Sequence, residues 1–157
     1  MLTTVTEQTV QTLEIVRDMQ IAAPMDVVFE TILEQMGPLN VHPDGTPLTM
    51  TLEAWPGGRW YRDLGDNNGH FWGNVQAIKK PTLLEITGPL FMSYAAVSNV
   101  QYRLSEEDGM TRVQFAHRAI GQISEQHRAG VGTGWGNLLT RIQDGAERAA
   151  AGTKTRR

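Results

Sequence analysis

Cysteine is absent from the 157 residues, which excludes disulfides, thiolate metal sites and cysteine nucleophiles. Only three lysines occur, Lys79, Lys80 and Lys154. No apolar run approaches the ~18 residues that a membrane-crossing helix needs. The first residues, Met1-Leu2-Thr3-Thr4-Val5-Thr6-Glu7-Gln8, carry neither a basic stretch nor an apolar one, so no secretory signal is read there. A cytoplasmic location is the expectation.

The formal net charge is −3, and Lys154, Arg156 and Arg157 at the C-terminal end leave −6 for the rest. A nucleic-acid surface needs clustered Lys and Arg, and the arginines from Arg17 to Arg148 are scattered. Neither nucleic acid nor membrane insertion is expected. Forty per cent hydrophobic and 20% charged residues are ordinary for a globular chain. A chain of this length buries roughly 70% of its unfolded surface. It therefore has material for a core and a small internal cavity.

Residues 1–11 read as a flexible N-terminal segment, 12–150 as one domain, and 151–157 as a basic flexible tail. Leu13 to Ile21 reads as a strand. Pro24 suits the first position of a helix, and Asp26 complements its positive end. Met25, Val28, Phe29, Ile32, Leu33 and Met36 then recur at helical spacing. Gly37-Pro38 ends the helix, with a left-handed glycine as the expected cap.

From Leu48 the period falls to two, and Leu48, Met50, Leu52 and Ala54 alternate with polar residues. Gly65-Asp66-Asn67-Asn68-Gly69 and Glu106-Glu107-Asp108-Gly109 are turn signals, since Asn, Asp and Gly tolerate positive φ. About six antiparallel strands follow the first helix. A long helix closes the chain from about Ser124, a plausible N-cap, to Ala149. Val131, Trp135, Leu138, Ile142, Ala146 and Ala149 form its single apolar stripe. Strand, helix, six strands and helix fit an α+β arrangement with both helices on one face of a curved sheet.

Gly130, Gly132, Gly134 and Gly136 lie in or just before that helix, each costing about 0.8–1 kcal/mol against alanine in a helix interior. Three explanations compete: close backbone approach, a mobile entrance, and a phosphate loop. The spacing disfavours the last, since neither G-x-G-x-x-G nor G-x-x-x-x-G-K-[ST] can be written there. Aromatic residues concentrate in the strands and the last helix, and Arg62, Asn74, Gln101 and His117 lie among them. Apolar walls with a few polar groups suit a small-molecule pocket, although a plain core would use the same residues. Trp60, Arg62, Trp72, Tyr102, Phe115, His117 and Trp135 are the candidate ligand-binding residues. His42, His70, His117 and His127 are dispersed, and no metal site or cofactor is expected. No catalytic motif is present; acid–base roles for Asp63 or His117, beside Arg62, are the enzyme alternative.

Five segments together resemble a known family: Ile21-Ala22-Ala23-Pro24-Met25-Asp26-Val27-Val28-Phe29, Gly57-Gly58-Arg59-Trp60-Tyr61-Arg62 with Gly69-His70-Phe71-Trp72-Gly73-Asn74-Val75, Lys80-Pro81-Thr82-Leu83-Leu84-Glu85-Ile86, Thr111-Arg112-Val113-Gln114-Phe115-Ala116-His117, and Gly134-Trp135 with Leu138 and Leu139. Their order and spacing are similar to the SRPBCC (START-like) superfamily, in the branch named for homologues of the activator of heat-shock protein 90 ATPase. The resemblance implies a helix-grip (START-like) fold, a curved antiparallel β-sheet wrapped around a long C-terminal α-helix over a hydrophobic cavity. It implies a cavity that binds lipids, polyketides or other apolar small molecules in many relatives; binding of a small apolar or amphipathic molecule by a monomer or homodimer is the leading expectation. It supplies no universal catalytic residues. Leu39-Asn40-Val41-His42-Pro43-Asp44-Gly45 replaces the family's Trp-rich segment near the cavity mouth. The alternatives are an enzyme of cyclase, dehydratase or hydrolase type acting on a hydrophobic substrate, and a chaperone (heat-shock protein 90 ATPase) regulator.

Overall fold

A computed structural model describes residues 2–155. Seven strands form one antiparallel sheet: β1 (Gln11–Ile21), β2 (Thr51–Leu52), β3 (Arg59–Gly65), β4 (Asn68–Lys79), β5 (Leu83–Gly88), β6 (Ala96–Glu107) and β7 (Met110–Gly121). Their spatial order is β1-β7-β6-β5-β4-β3-β2, so the chain runs as a meander except where β1 returns beside β7. Helix α1 (Met25–Met36) links β1 to β2, and α2 (Glu125–Thr155) follows β7. This is the expected α+β helix-grip arrangement.

The inward side chains alternate along each strand, as a one-sided sheet requires. Val100, Tyr102 and Leu104 on β6 and Val113, Phe115 and His117 on β7 are buried. They meet Val28, Phe29 and Ile32 of α1 and Trp135, Leu138 and Ile142 of α2 in one core. Burying a large apolar side chain contributes about 1.5–3 kcal/mol, so this layer supplies the main cohesion. The two helices touch at Gly145, where an added Cβ would stand 3.2 Å from Thr31 Cγ2.

The hairpin turns form as read. Asp66 and Asn67 take φ of 52° and 60° between β3 and β4, the positive values that a tight two-residue turn requires. Asp108 and Gly109 do the same between β6 and β7, with φ of 54° and 76°.

Four local expectations are corrected. Helix α1 begins at Met25, with Pro24 extended at ψ 153° as its cap and the Pro24 carbonyl accepting the Val28 N–H at 3.0 Å. Its C-terminal Gly37 has φ −106°, outside the left-handed region. Glycine is needed there for space, because a Cβ would lie 2.8 Å from the Leu33 carbonyl oxygen. The alternating run from Leu48 to Ala54 gives a strand only at Thr51–Leu52. Leu48 and Met50 instead donate their N–H groups to Asn40 and Gly37 at 2.8 and 3.0 Å, tying this stretch to the end of α1. Finally, α2 does not stop at Ala149 but continues to Thr155, so 151–155 of the expected tail are helical; Arg156 and Arg157 lie outside the described residues. Residues 2–10 carry no regular secondary structure and are exposed. Among the described residues, no helix is long and apolar enough to cross a membrane.

Candidate functional site

A cleft of about 810 Å³ lies between the sheet and α2, within the ~300–1,000 Å³ range of small-molecule sites. Its walls come from three parts of the chain. On the sheet side stand Trp60 and Arg62 of β3, His70 and Trp72 of β4, and Phe91 of the β5–β6 connection. The loop after α1 contributes Asn40, Val41, His42 and Pro43. Leu48, Leu64 of β3 and Ser124 add to these, and helix α2 supplies the rest.

Two adjacent stripes divide the work of α2. Val131, Trp135, Leu138 and Ile142 are buried in the core. Gly130, Gly134, Asn137 and Arg141, spaced 4, 3 and 4, face the cleft beside them, as helical geometry requires of residues at that spacing. A Cβ added at Gly130, Gly132, Gly134 or Gly136 would meet nothing within 4 Å. Close backbone approach is therefore not the reason for these glycines. The whole segment is helical, and Gly130 and Gly134 give its cleft-facing side no side chain, leaving that volume empty.

The aromatic walls are held by specific bonds. Trp60 is 2% exposed, and its Nε1–H donates to the Met36 carbonyl at 2.7 Å, satisfying an end of α1. Trp72 packs edge-on to Trp60 at 4.9 Å between centroids and donates its Nε1–H to His70 Nδ1 at 2.9 Å. Phe91 bridges Trp72 at 5.8 Å and the His127 ring, stacked at 5.5 Å. The preceding Leu90 is fully buried yet has φ 56°, a left-handed conformation costly for such a side chain. Its N–H bonds the Trp72 carbonyl at 2.7 Å, and this fixes the loop that presents Phe91.

Beneath the cleft, Trp135 Nε1–H donates to His117 Nδ1 at 2.8 Å. That nitrogen is thus unprotonated, and Nε2–H faces Ser98 Oγ at 3.0 Å. Burial pulls the His117 pKa down from 6.5 to about 4. Tyr102 is also buried, with its hydroxyl unpartnered; burial pushes its pKa up.

Of the seven sequence-expected ligand residues, Trp60, Arg62, Trp72 and Trp135 come together on the cleft wall. Tyr102, Phe115 and His117 lie in the core behind it, with Phe115 against Trp135 at 4.7 Å and against Tyr102 at 5.0 Å. Asn74 and Gln101 do not point inward. Asn74 bonds the Gly57 carbonyl, and Gln101 bonds Glu85 at 2.6 Å on the opposite sheet face. Asp63 is exposed, accepts the Gly65 N–H at 2.8 Å, and does not reach His117. Sequence reading missed Arg141, Asn137, Phe91, His70 and His127. The 130-134-137-141 spacing was the available signal for the helix pair, masked by the stronger apolar stripe next to it. Among the described residues, no group of three His, Asp or Glu side chains could hold a metal ion.

Comparison with known proteins agrees with this fold. The chain superimposes on an uncharacterized protein from Rhizobium leguminosarum with a TM-score of 0.72 at 18% identity, over 91% of this chain and 99% of that one. A protein from Chromobacterium violaceum gives 0.68 at 14% identity, over 85% and 96%. The Aha1 dimer from Colwellia psychrerythraea gives 0.61 at 15% identity, over 86% and 96%. At these identities the likeness is one of fold. No curated protein sequence matches the chain. The family profile described as Activator of Hsp90 ATPase homolog 1-like protein matches residues 22–147. The chain belongs to this Activator of Hsp90 ATPase homolog 1-like family, within the SRPBCC fold.

Proposed function

We propose that this protein binds a small amphipathic molecule in the cleft between its sheet and α2. The observation that carries the reading is the glycine stripe. Gly130 and Gly134 face open space within a helix, at roughly 1 kcal/mol each relative to alanine. The half-buried Trp72 and Phe91, backed by the buried Trp60, Trp135 and Leu138, supply an apolar wall, and polar groups on the rim supply orientation.

The enzyme alternative asks for an acid–base pair in contact with a bound molecule. Asp63 and His117 are apart, and His117 has both ring nitrogens engaged. Regulation of a chaperone ATPase rests for this chain on the family's name alone.

Titration with the neutral dye N-phenyl-1-naphthylamine tests the reading. We expect saturable one-site fluorescence enhancement in the wild type and its loss in Gly134→Leu, whose side chain enters the cleft. A non-saturable signal, or one unchanged in that variant, overturns the proposal.

A further inference from the structure

The cleft has a charge composition opposite to that of the molecule. The chain carries 17 acidic residues against 14 basic ones, yet no Asp or Glu lines the cleft, while Arg62 and Arg141 both do. On the outer surface three arginines find carboxylates, and Arg17, Arg103 and Arg128 find carbonyl or amide oxygens. Arg59 pairs with Glu53 at 2.8 Å, Arg112 with Asp18 at 2.5 Å, and Arg118 with Glu14 at 2.8 Å. Among the described residues, no ion pair or hydrogen bond reaches the side chain of Arg62 or Arg141, although Arg141 lies within electrostatic reach of the buried Tyr102 hydroxyl. Arg141 Nε is buried without any partner, and burial pulls the pKa of this group down. Drawing a guanidinium away from water without a counter-charge is costly, and an anion in the cleft would supply that charge.

The strand geometry adds a third donor. Arg62 and His70 stand opposite each other in the β3–β4 register, so their side chains leave the same face as close neighbours. Because His70 Nδ1 accepts the Trp72 indole N–H, the proton of the neutral ring sits on Nε2. Arg62, His70 and Arg141 therefore offer donors only. A carboxylate, with two oxygens that accept and none that donate, is the simplest complement, and the guanidinium fork matches its geometry.

We propose that the cleft selects amphipathic carboxylates, with the headgroup taken by Arg62, Arg141 and His70 Nε2–H and the apolar body laid on Trp60, Trp72 and Trp135. The inference rests on the binding function proposed above and names its ligand class. It also gives Arg141 a role: placed one and two turns beyond Asn137 and Gly134 on the same stripe, it sits at the end of the space that the glycines leave open.

The test compares dodecanoate, dodecanol and dodecylammonium at pH 7.4, read by quenching of the intrinsic tryptophan fluorescence. Three of the four tryptophans line the cleft. We expect dodecanoate to bind at least about ten-fold more tightly than dodecanol, and dodecylammonium to bind most weakly, by analogy with other charge-assisted recognition. Arg62→Gln and Arg141→Gln should each weaken dodecanoate, and the double variant should bind acid and alcohol alike. The wild-type ratio is informative even where a variant folds poorly. Equal affinity for acid and alcohol in the wild type, or a preference that survives the double variant, overturns the carboxylate proposal and leaves the cleft as a neutral apolar site. Failure of all three ligands to bind overturns the binding function itself.

Discussion

Trp135 and His117 are joined by an indole-to-imidazole hydrogen bond of 2.8 Å, which fixes α2 to β7 at the base of the cleft. The bond requires a neutral ring, because a protonated His117 would turn a donor toward the Trp135 N–H. Burial holds the pKa at about 4, against 6.5 for the free side chain. Between these values the unfolded chain takes up a proton that the folded protein refuses. Stability therefore falls as pH drops through this window, by about 3 kcal/mol if the whole shift is realised, and is unaffected by this group above 6.5. Urea unfolding at pH 7, 5.5 and 4 checks this. His117→Gln should lose stability at pH 7 and show a shallower decline on acidification than the wild type; parallel declines would rule out His117 as the titrating group.

The empty space around the helix glycines predicts opposite effects on folding and binding. Gly130→Ala and Gly134→Ala should each raise stability by up to about 1 kcal/mol, since a Cβ at either site meets no neighbour. Both should weaken ligand binding by narrowing the cleft. Gly145→Ala is the internal comparison. There the Cβ would press on Thr31 Cγ2 at 3.2 Å, so the helical gain should be reduced or reversed. Thermal unfolding of the three variants would show whether the gain is confined to the cleft-facing positions.

Trp60 holds the end of α1 through its bond to the Met36 carbonyl. Trp60→Phe keeps much of the apolar bulk and removes the donor, leaving a carbonyl without this partner. A cost of about 1–3 kcal/mol is expected, read as a lower urea midpoint with an unchanged slope. A neutral result would mean that water replaces the indole without loss.

The fold was legible because its signals are local. Apolar spacing from Met25 to Met36 marks α1, and Asp66-Asn67 and Asp108-Gly109 mark turns whose positive φ these residues accept. The cleft was legible only in part, because inward parity on a strand does not separate wall from core. Trp72 and His117 both face inward, yet Trp72 borders the cleft and His117 lies under Trp135. That difference depends on how far α2 stands from the sheet, a tertiary quantity. The same limit applied to the glycines, whose spacing showed a helical cost without showing whether packing or empty volume explained it. Arg141 was hidden for another reason: one of three arginines on a long polar helix reads as solvated until its missing partner is seen.

The most direct measurement is a 1H–15N spectrum of the protein titrated with dodecanoate, following the indole signals of the four tryptophans and the Gly134 amide. Trp55 is 57% exposed and does not border the cleft, so it serves as the reference. Saturable shifts of Trp72, Trp135 and Gly134 with Trp55 unmoved are the predicted result. Shifts centred on Trp55, or none at all, would contradict a ligand cleft beneath α2.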